Sequence, residues 1–266
     1  MTSRKRIFDN LLDYVNDHLG FRPSTANREK LEVKLDDLRL LPRWLDLESF
    51  HRDFQAGDPD AKEALIKAIT VNHTFFFREQ HQLEDMISLV HSQGIEEPAV
   101  WCAASSTGEE AYSLAILLLE NGVGDFRIVA SDVNSRVLQL MNRGVYHDSR
   151  LEEVPRQLLM KYFTREDELH WRVVPKLREH LAIKRVNLAQ EVRFDHPFDF
   201  IFCRNVFIYF DNATRKKALA TLKDNLKVGG SLFLGLTEGL LDIPQGFEKS
   251  SQSGYRRLAD DKNRGR

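Results

Sequence analysis

Residues 99–119, AVWCAASSTGEEAYSLAILLL, decide the fold. An apolar run breaks at a group of small polar residues, and apolar residues then resume at helical spacing, which predicts a strand, a tight loop and a helix N-terminus. Such a junction presents unpaired backbone N–H groups at the carboxyl edge of a sheet. Open α/β folds bind their ligands there.

Beyond this junction strands and helices alternate. Strand-like runs fall at 99–104, 126–131, 181–186, 198–203 and 231–236, and helical patterns at 109–120, 135–143 and 213–226. The alternation predicts a doubly wound α/β sheet with helices on both faces, Rossmann-like in plan. Gly229 and Gly230 read as the turn into the last of these strands, and short strands near 247–249 and 255–258 close the sheet ahead of a polar tail. The stretch between Tyr146 and Arg185 is too long for a simple crossover, so a small inserted antiparallel β-subdomain is expected at about 146–185.

Upstream, residues 4–69 read as helices. Ile7, Leu11, Leu12, Val15 and Leu19 share one face and Gly20 supplies a stop; further helices are expected over 27–43, from about Glu48, and over 60–69 after the turn Gly57-Asp58-Pro59. Arg28, Lys30, Lys34, Arg39 and Arg43 are interleaved with Glu29, Glu32, Asp36 and Asp37, so a docking face and a solvated mixed-charge face both stand open. The organisation expected is a helical domain over 1–70, a connector over 71–98, the α/β domain over 99–260 and a tail over 261–266.

The 266 residues are 42% hydrophobic and 29% charged with a formal net charge of −2, which is ordinary globular composition. It gives no electrostatic case for nucleic acid or a membrane surface. The two cysteines, Cys102 and Cys203, lie in apolar strand runs and read as small buried hydrophobes of a reduced, cytoplasmic protein. The nine histidines lack ligand spacing, so no metal is expected; no eighteen-residue apolar run occurs, and the charged residues 1–9 are unlike a signal.

Several segments carry candidate chemistry. In TVNHTFFFRE, residues 70–79, three consecutive phenylalanines cannot face one way, so they pack on two sides of a wedge punctuated by Asn72, Thr74 and Arg78. Composition alone favours a connector whose arginine pairs with a carboxylate. The loop ASSTGEE has one glycine where a pyrophosphate fingerprint needs several, and Glu109 and Glu110 at the helix N-terminus would repel a phosphate. A cationic, phosphate-free ligand such as S-adenosylmethionine fits better than a nicotinamide. Asp132 ends the second strand, where an acidic group accepts from ribose hydroxyls, or caps the helix that follows. In FCRNVFIYFD, Arg204, Asn205 and Tyr209 emerge at the carboxyl edge of the fourth strand, and Asn187 stands at the equivalent place after the third.

Taken together, TVNHTFFFRE, WCAASSTGEEAYSLAI, ASDVNSRVL with RGVY, FDFIFCRNVFIYFD and LKVGGSLFLGLTE resemble, in order and spacing, the CheR family of chemotaxis-receptor methyltransferases. The resemblance runs from about Phe8 to Leu258. It implies methyl transfer from S-adenosylmethionine, leaving S-adenosylhomocysteine, to glutamate side chains on the cytoplasmic helices of methyl-accepting chemoreceptors. A monomer that neither enters a membrane nor binds nucleic acid is expected. It further implies that Asn72, Thr74 and Arg78 contact the cofactor, against the composition-based connector. One of Glu109 and Glu110 meets the methionine ammonium, Asp132 the ribose, and Asn187 with Leu188, Arg204 and Asn205 the adenosine side. Arg78 and Tyr209 lie nearest the transferred methyl. A second reading is a catalytically weak adaptor that keeps the cofactor site.

A glutamate substrate is ionised at neutral pH, so the transfer needs no general base, only positioning and exclusion of water. The chain departs from the family in an N-terminal domain less plainly basic than a receptor-docking surface and in one loop. Some members carry a glycine-containing loop in the β-subdomain that helps dock a receptor tether peptide, whereas TREDELHWRV has no glycine. Independence of a tether pentapeptide is the expectation.

Overall fold

The computed structural model describes residues 3–21, 29, 32–35, 43–238 and 245–259. A seven-stranded sheet has the order β6-β2-β1-β7-β8-β10-β9. Its strands are β1 (Ala99–Ala103), β2 (Arg127–Asp132), β6 (Leu181–Arg185), β7 (Phe198–Cys203), β8 (Leu226–Leu234), β9 (Phe247–Lys249) and β10 (Gly254–Arg257). The first five run parallel, and β10 is antiparallel to both β8 and β9. The chain winds outward from β1 through β2 to β6, then returns to β7 on the other side of β1. This places a topological switch point at the carboxyl ends of β1 and β7.

The central strands β1, β2 and β7 are buried almost throughout because both faces are covered. Alternate residues serve opposite faces: Val100, Cys102, Ile128, Ala130, Phe200 and Phe202 share a core with helices α4 (Gln80–Ser92), α5 (Glu109–Glu120) and α6 (Ser135–Arg143). Trp101, Ala103, Val129, Ile201 and Cys203 pack instead with Ala218 and Leu222 of α9 (Asn212–Asp224). Cys102 and Cys203 thus lie on opposite faces as free, buried thiols. Their β7–β8 neighbourhood departs from the sequence expectation: β8 begins at Leu226, and the glycine pair lies within it, at a register shift between Phe198 and Phe200. A Cβ on Gly230 would stand 2.8 Å from the Asp199 carbonyl oxygen, so the pair bulges against its neighbour rather than turning into the strand.

Between α6 and β6 lies a three-stranded antiparallel sheet, β3 (Val145–His147), β4 (Phe163–Arg165) and β5 (His170–Val173), in the order β3-β5-β4. It carries α7 (Arg156–Tyr162) and the single turn α8 (Pro175–Arg178). The N-terminal helices are α1 (Ser3–Leu19), α2 (Leu47–Gln55) and α3 (Pro59–Ile69). Asp46 and Ser49 form a capping box on α2, and Asp58 caps α3. These helices have a core of their own, in which Phe8 is buried alongside Ile7, Leu11 and Val15. Of the helix expected over 27–43, residues 29 and 32–35 are helical; Arg28, Lys30, Arg39 and the tail fall outside the described residues.

The helical unit is fastened to the α/β unit at two places. Gly20 caps α1 with φ +66°, and a Cβ there would lie 2.2 Å from Thr214 Cγ2 of α9. Phe21 forms an isolated antiparallel bridge with Phe210, and Asn187 Nδ2 donates to the His18 carbonyl at 2.7 Å. At the second place Glu63 of α3 accepts from Ser135 N (3.1 Å) and pairs with Arg185 (2.8 Å), while Asn134 Nδ2 donates to Thr70 Oγ1 at 2.8 Å. No helix among the described residues is long and apolar enough to cross a membrane.

Candidate active site

A cleft opens at the switch point. It holds about 900 Å³ of non-atom space when the open solvent at its mouth is counted. Four stretches build it: the end of α1 with Leu19 and Phe21, the segment from Thr70 to Arg78, the β1 and β2 ends with Ser105, Ser106, Glu110 and Asp132, and the β6 and β7 ends. Asn72, Thr74, Arg78, Glu110, Asp132, Asn187, Leu188, Arg204, Asn205 and Tyr209 all stand on its wall.

Glu109 does not. Adjacent residues on a helix point about 100° apart, so only one of two consecutive glutamates faces the cleft. Glu109 is 1% exposed and turns toward the inserted subdomain, accepting from Thr107 Oγ1 at 2.6 Å with Arg150 at 3.5 Å. Glu110 faces the cleft, and its Oε2 takes a bond from Arg204 Nη1 at 3.0 Å.

Arg204 lines the cleft, but its guanidinium is committed. With a side chain only 2% exposed, it also pairs with Glu79 at 3.3 Å and donates to the Arg78 carbonyl at 2.5 Å. It therefore joins α5, the 70–79 segment and the β7 end around one buried cation. Asn187 is similarly engaged: its amide nitrogen holds the His18 carbonyl while its oxygen accepts from Ala189 N at 3.0 Å.

Asp132 Oδ2 accepts from Ser106 N at 2.9 Å and Oδ1 from Asn134 N at 2.9 Å. The cap of α6 is Asn134, whose side chain accepts from Arg136 N at 3.0 Å. Asp132 therefore shapes two loops and keeps lone pairs for a further donor. Nearby, the Ser106 hydroxyl is buried and has no hydrogen-bond partner.

The phenylalanine wedge packs on two sides, as its sequence requires. Phe76 is fully buried against Tyr146 and Phe163 of the inserted subdomain, with ring centroids 5.0 and 5.4 Å away. Phe77 N donates to Ser113 Oγ of α5 at 2.9 Å. Arg78 donates to the His73 carbonyl at 2.9 Å and lies over the Phe75 ring, with Glu79 4.0 Å from its Nε. The arginine thus keeps a carboxylate neighbour while standing on the cleft wall. Tyr209 stacks on Phe21 at 5.5 Å, and burial raises its phenol, which remains a donor at neutral pH.

Among the described residues, five other than glycine hold left-handed backbone: Phe77, Glu79, Ala104, Ser106 and Asn205. All belong to the loops around the cleft, and each costs about 1–3 kcal/mol that the surrounding contacts must offset. No role at the site was expected of Leu19, Phe21, Ser106, Glu79 or Glu238. For Phe21 no local signal exists. For Glu79 and Glu238 the signal was an acidic residue next to a strand's carboxyl edge or its partner segment.

The donor set fits a cationic, hydroxyl-bearing, phosphate-free cofactor: two carboxylates, an orphaned hydroxyl and an apolar wall of Leu19, Phe21, Val186, Leu188 and Phe210. The family described as CheR methyltransferase, SAM binding domain, matches residues 72–256. The chain belongs to the CheR methyltransferase family. It is 38% identical over 225 residues to the chemotaxis protein methyltransferase of Salmonella typhimurium, covering 80% of this chain and 77% of that protein. It is 33% identical over 232 residues to chemotaxis protein methyltransferase 2 of Vibrio cholerae, covering 80% of each. It is also similar to the solved glycopeptide N-methyltransferase MtfA with sinefungin, at 16% identity and TM-score 0.36, over 57% of this chain and 52% of that one. As a CheR methyltransferase the protein uses S-adenosylmethionine, and the nicotinamide reading is set aside.

Burial raises the carboxyls of both Glu110 and Asp132 above the ordinary range, against the opposing pull of Arg204 on the first and backbone N–H groups on the second. If Glu110 and Asp132 hold the cofactor, they do so in their ionised forms, and its affinity is expected to be full above the raised values and to fall as pH drops through them, starting above the ordinary carboxylate range of about 4. For the fold the sign is reversed, because a raised carboxyl favours the folded state below its raised value and that contribution fades as pH rises through it. Calorimetric titration with S-adenosylhomocysteine between about pH 4 and 7 is expected to show affinity falling toward acid. Affinity flat to the acid end would contradict this assignment.

Proposed function

We propose that this CheR methyltransferase transfers the methyl of S-adenosylmethionine to glutamate side chains on the cytoplasmic helices of methyl-accepting chemoreceptors. The observation that carries the reading is a single cleft lined by Arg78 and Tyr209 together with Glu110 and Asp132. A cation and a hydroxyl suit an incoming carboxylate, and two carboxylates suit the cofactor's ammonium and ribose. When bound, the cofactor supplies an electrophilic methyl on a sulfonium.

In this reading Arg78 orients the substrate carboxylate by a charge-assisted hydrogen bond and Tyr209 donates a second. Glu110 receives the ammonium and Asp132 the ribose hydroxyls. Asn72, Thr74, Asn187, Leu188 and Asn205 complete the cofactor walls. The committed guanidinium of Arg204 contributes by aiming Glu110. The apolar wall around Phe21 excludes water, which strengthens every one of these interactions.

The experiment is transfer of labelled methyl from S-adenosylmethionine to receptor cytoplasmic fragments, read as a base-labile ester. Binding of the cofactor without transfer would leave the adaptor reading in its place. Tether independence is part of the proposal. The β4–β5 turn, residues 166–169, is closed by Asp167 Oδ1, which accepts from Leu169 N at 2.8 Å and His170 N at 2.9 Å. Arg172 pairs with Glu166 across the hairpin. This is a tight, self-satisfied turn rather than an open glycine loop. A receptor C-terminal pentapeptide is expected to give no calorimetric signal with the purified protein, and micromolar binding would refute that part.

A further inference from the structure

Two loops meet behind Asn205 and Tyr209: residues 204–211 after β7 and residues 235–238 after β8. The second ends in the 3-10 turn Leu236–Glu238, from which the Glu238 side chain reaches back. Its Oε2 accepts from Gly235 N at 3.0 Å and from Asn205 N, and its Oε1 accepts from Ile208 N at 3.2 Å. One side chain, 7% exposed and absent from the cleft wall, thus gathers the backbone on which Asn205 and Tyr209 are mounted.

The fit is close. A Cβ on Gly235 would lie 2.6 Å from Glu238 Oε2 and 2.7 Å from Asn205 Nδ2, so glycine alone lets the two loops meet. Asn205 needs such support because its backbone is left-handed, at φ +59°. Among the described residues every hydrogen-bond partner of the carboxylate is an N–H donor, which asks for two acceptor oxygens and disfavours a carboxamide. Burial lifts the Glu238 carboxyl while those N–H groups pull it down, and its charge in turn helps raise the Tyr209 phenol.

We propose that Glu238 is a positioning residue for methyl transfer: it fixes residues 205–208 and so sets the aim of Asn205 and Tyr209 without touching cofactor or substrate. The proposal rests on the glutamate-transfer reading above. It assigns a task to the acidic residue of GLTE, which lies outside the cleft.

The test uses the full chain and Glu238→Gln, which keeps the volume and turns one acceptor into an N–H₂ facing N–H donors. Hydrogen exchange over residues 205–208 is expected to quicken by about tenfold or more, with the β7 amides unchanged. Methyl transfer is expected to lose about tenfold or more in kcat, since small misplacements of reacting groups are costly. In a Tyr209→Phe background the same substitution should cost less than about twofold more, because the two residues act as a unit. Losses that multiply in full, or exchange at 205–208 that stays at the wild-type rate, would overturn the proposal. Glu238→Ala serves as a second variant: it too must quicken exchange at 205–208 ahead of the β7 core. Should the wild type transfer no methyl to glutamate, the functional reading falls while the exchange result still decides whether Glu238 holds the loop.

Discussion

Asp132→Asn is expected to weaken S-adenosylhomocysteine binding by about 10- to 100-fold, measured by calorimetry at neutral pH. A hydrogen bond to a charged group contributes about 1.5–3 kcal/mol, and a carboxamide offers one acceptor where the carboxylate offers two. Both oxygens of Asp132 already hold backbone N–H groups, those of Ser106 and Asn134, so the new amide also meets a donor. Asp132→Ala goes further and leaves both N–H groups without that partner, which lowers stability by about 1–3 kcal/mol for each one left buried. Comparing the two separates the roles: Asn reads ligand binding with the loops largely kept, Ala reads the loops as well. A dissociation constant within about twofold of wild type for Asp132→Asn would remove this residue from the cofactor site.

Arg204→Met is expected to cost about 3–5 kcal/mol of folding stability, the typical penalty for stranding a buried ion-pair partner. Here two carboxylates are stranded, Glu110 and Glu79, along with the Arg78 carbonyl. Urea denaturation of the double variant Arg204→Met/Glu110→Gln should recover part of that loss, because the buried charge has been removed with its partner. Arg204→Lys is not a conservative change at this site. A single ammonium cannot span three acceptors spread around a planar fork. If Arg204→Met unfolds at the wild-type urea concentration, the clamp linking α5 to the 70–79 segment contributes nothing to the fold.

The sheet was legible because strands buried on both faces announce themselves as apolar runs, and β1, β2 and β7 fall within a residue of where the sequence places them. β8 was misplaced at its start because two consecutive glycines read as a turn. A bulge spends glycines in the same way, and only the neighbouring Asp199 carbonyl distinguishes them. The cleft was legible where its residues are contiguous: Asn72, Thr74 and Arg78 sit in one segment, and Arg204, Asn205 and Tyr209 in another. The choice between Glu109 and Glu110 was not, since it depends on the rotation of α5 about its axis. Phe21 and Glu238 were hidden for a different reason. Each acts across a long sequence separation, Phe21 on Tyr209 and Glu238 on Asn205, and no local pattern encodes a contact of that kind.

The left-handed residues around the cleft bear on how this protein tolerates change. Phe77, Glu79, Ala104, Ser106 and Asn205 are positions where glycine would relax the backbone, whereas helix and strand interiors favour the residues they have. A search for heat-resistant variants of the empty protein would be drawn to Ala104 and Ser106, where little side chain is lost, but not to Phe77, which is buried in the core, or Glu79, which pairs with Arg204. A search for turnover would reject the same substitutions, because a relaxed loop presents its side chains over a wider range of directions. Stability and methyl transfer therefore select in opposite directions at those two loop positions.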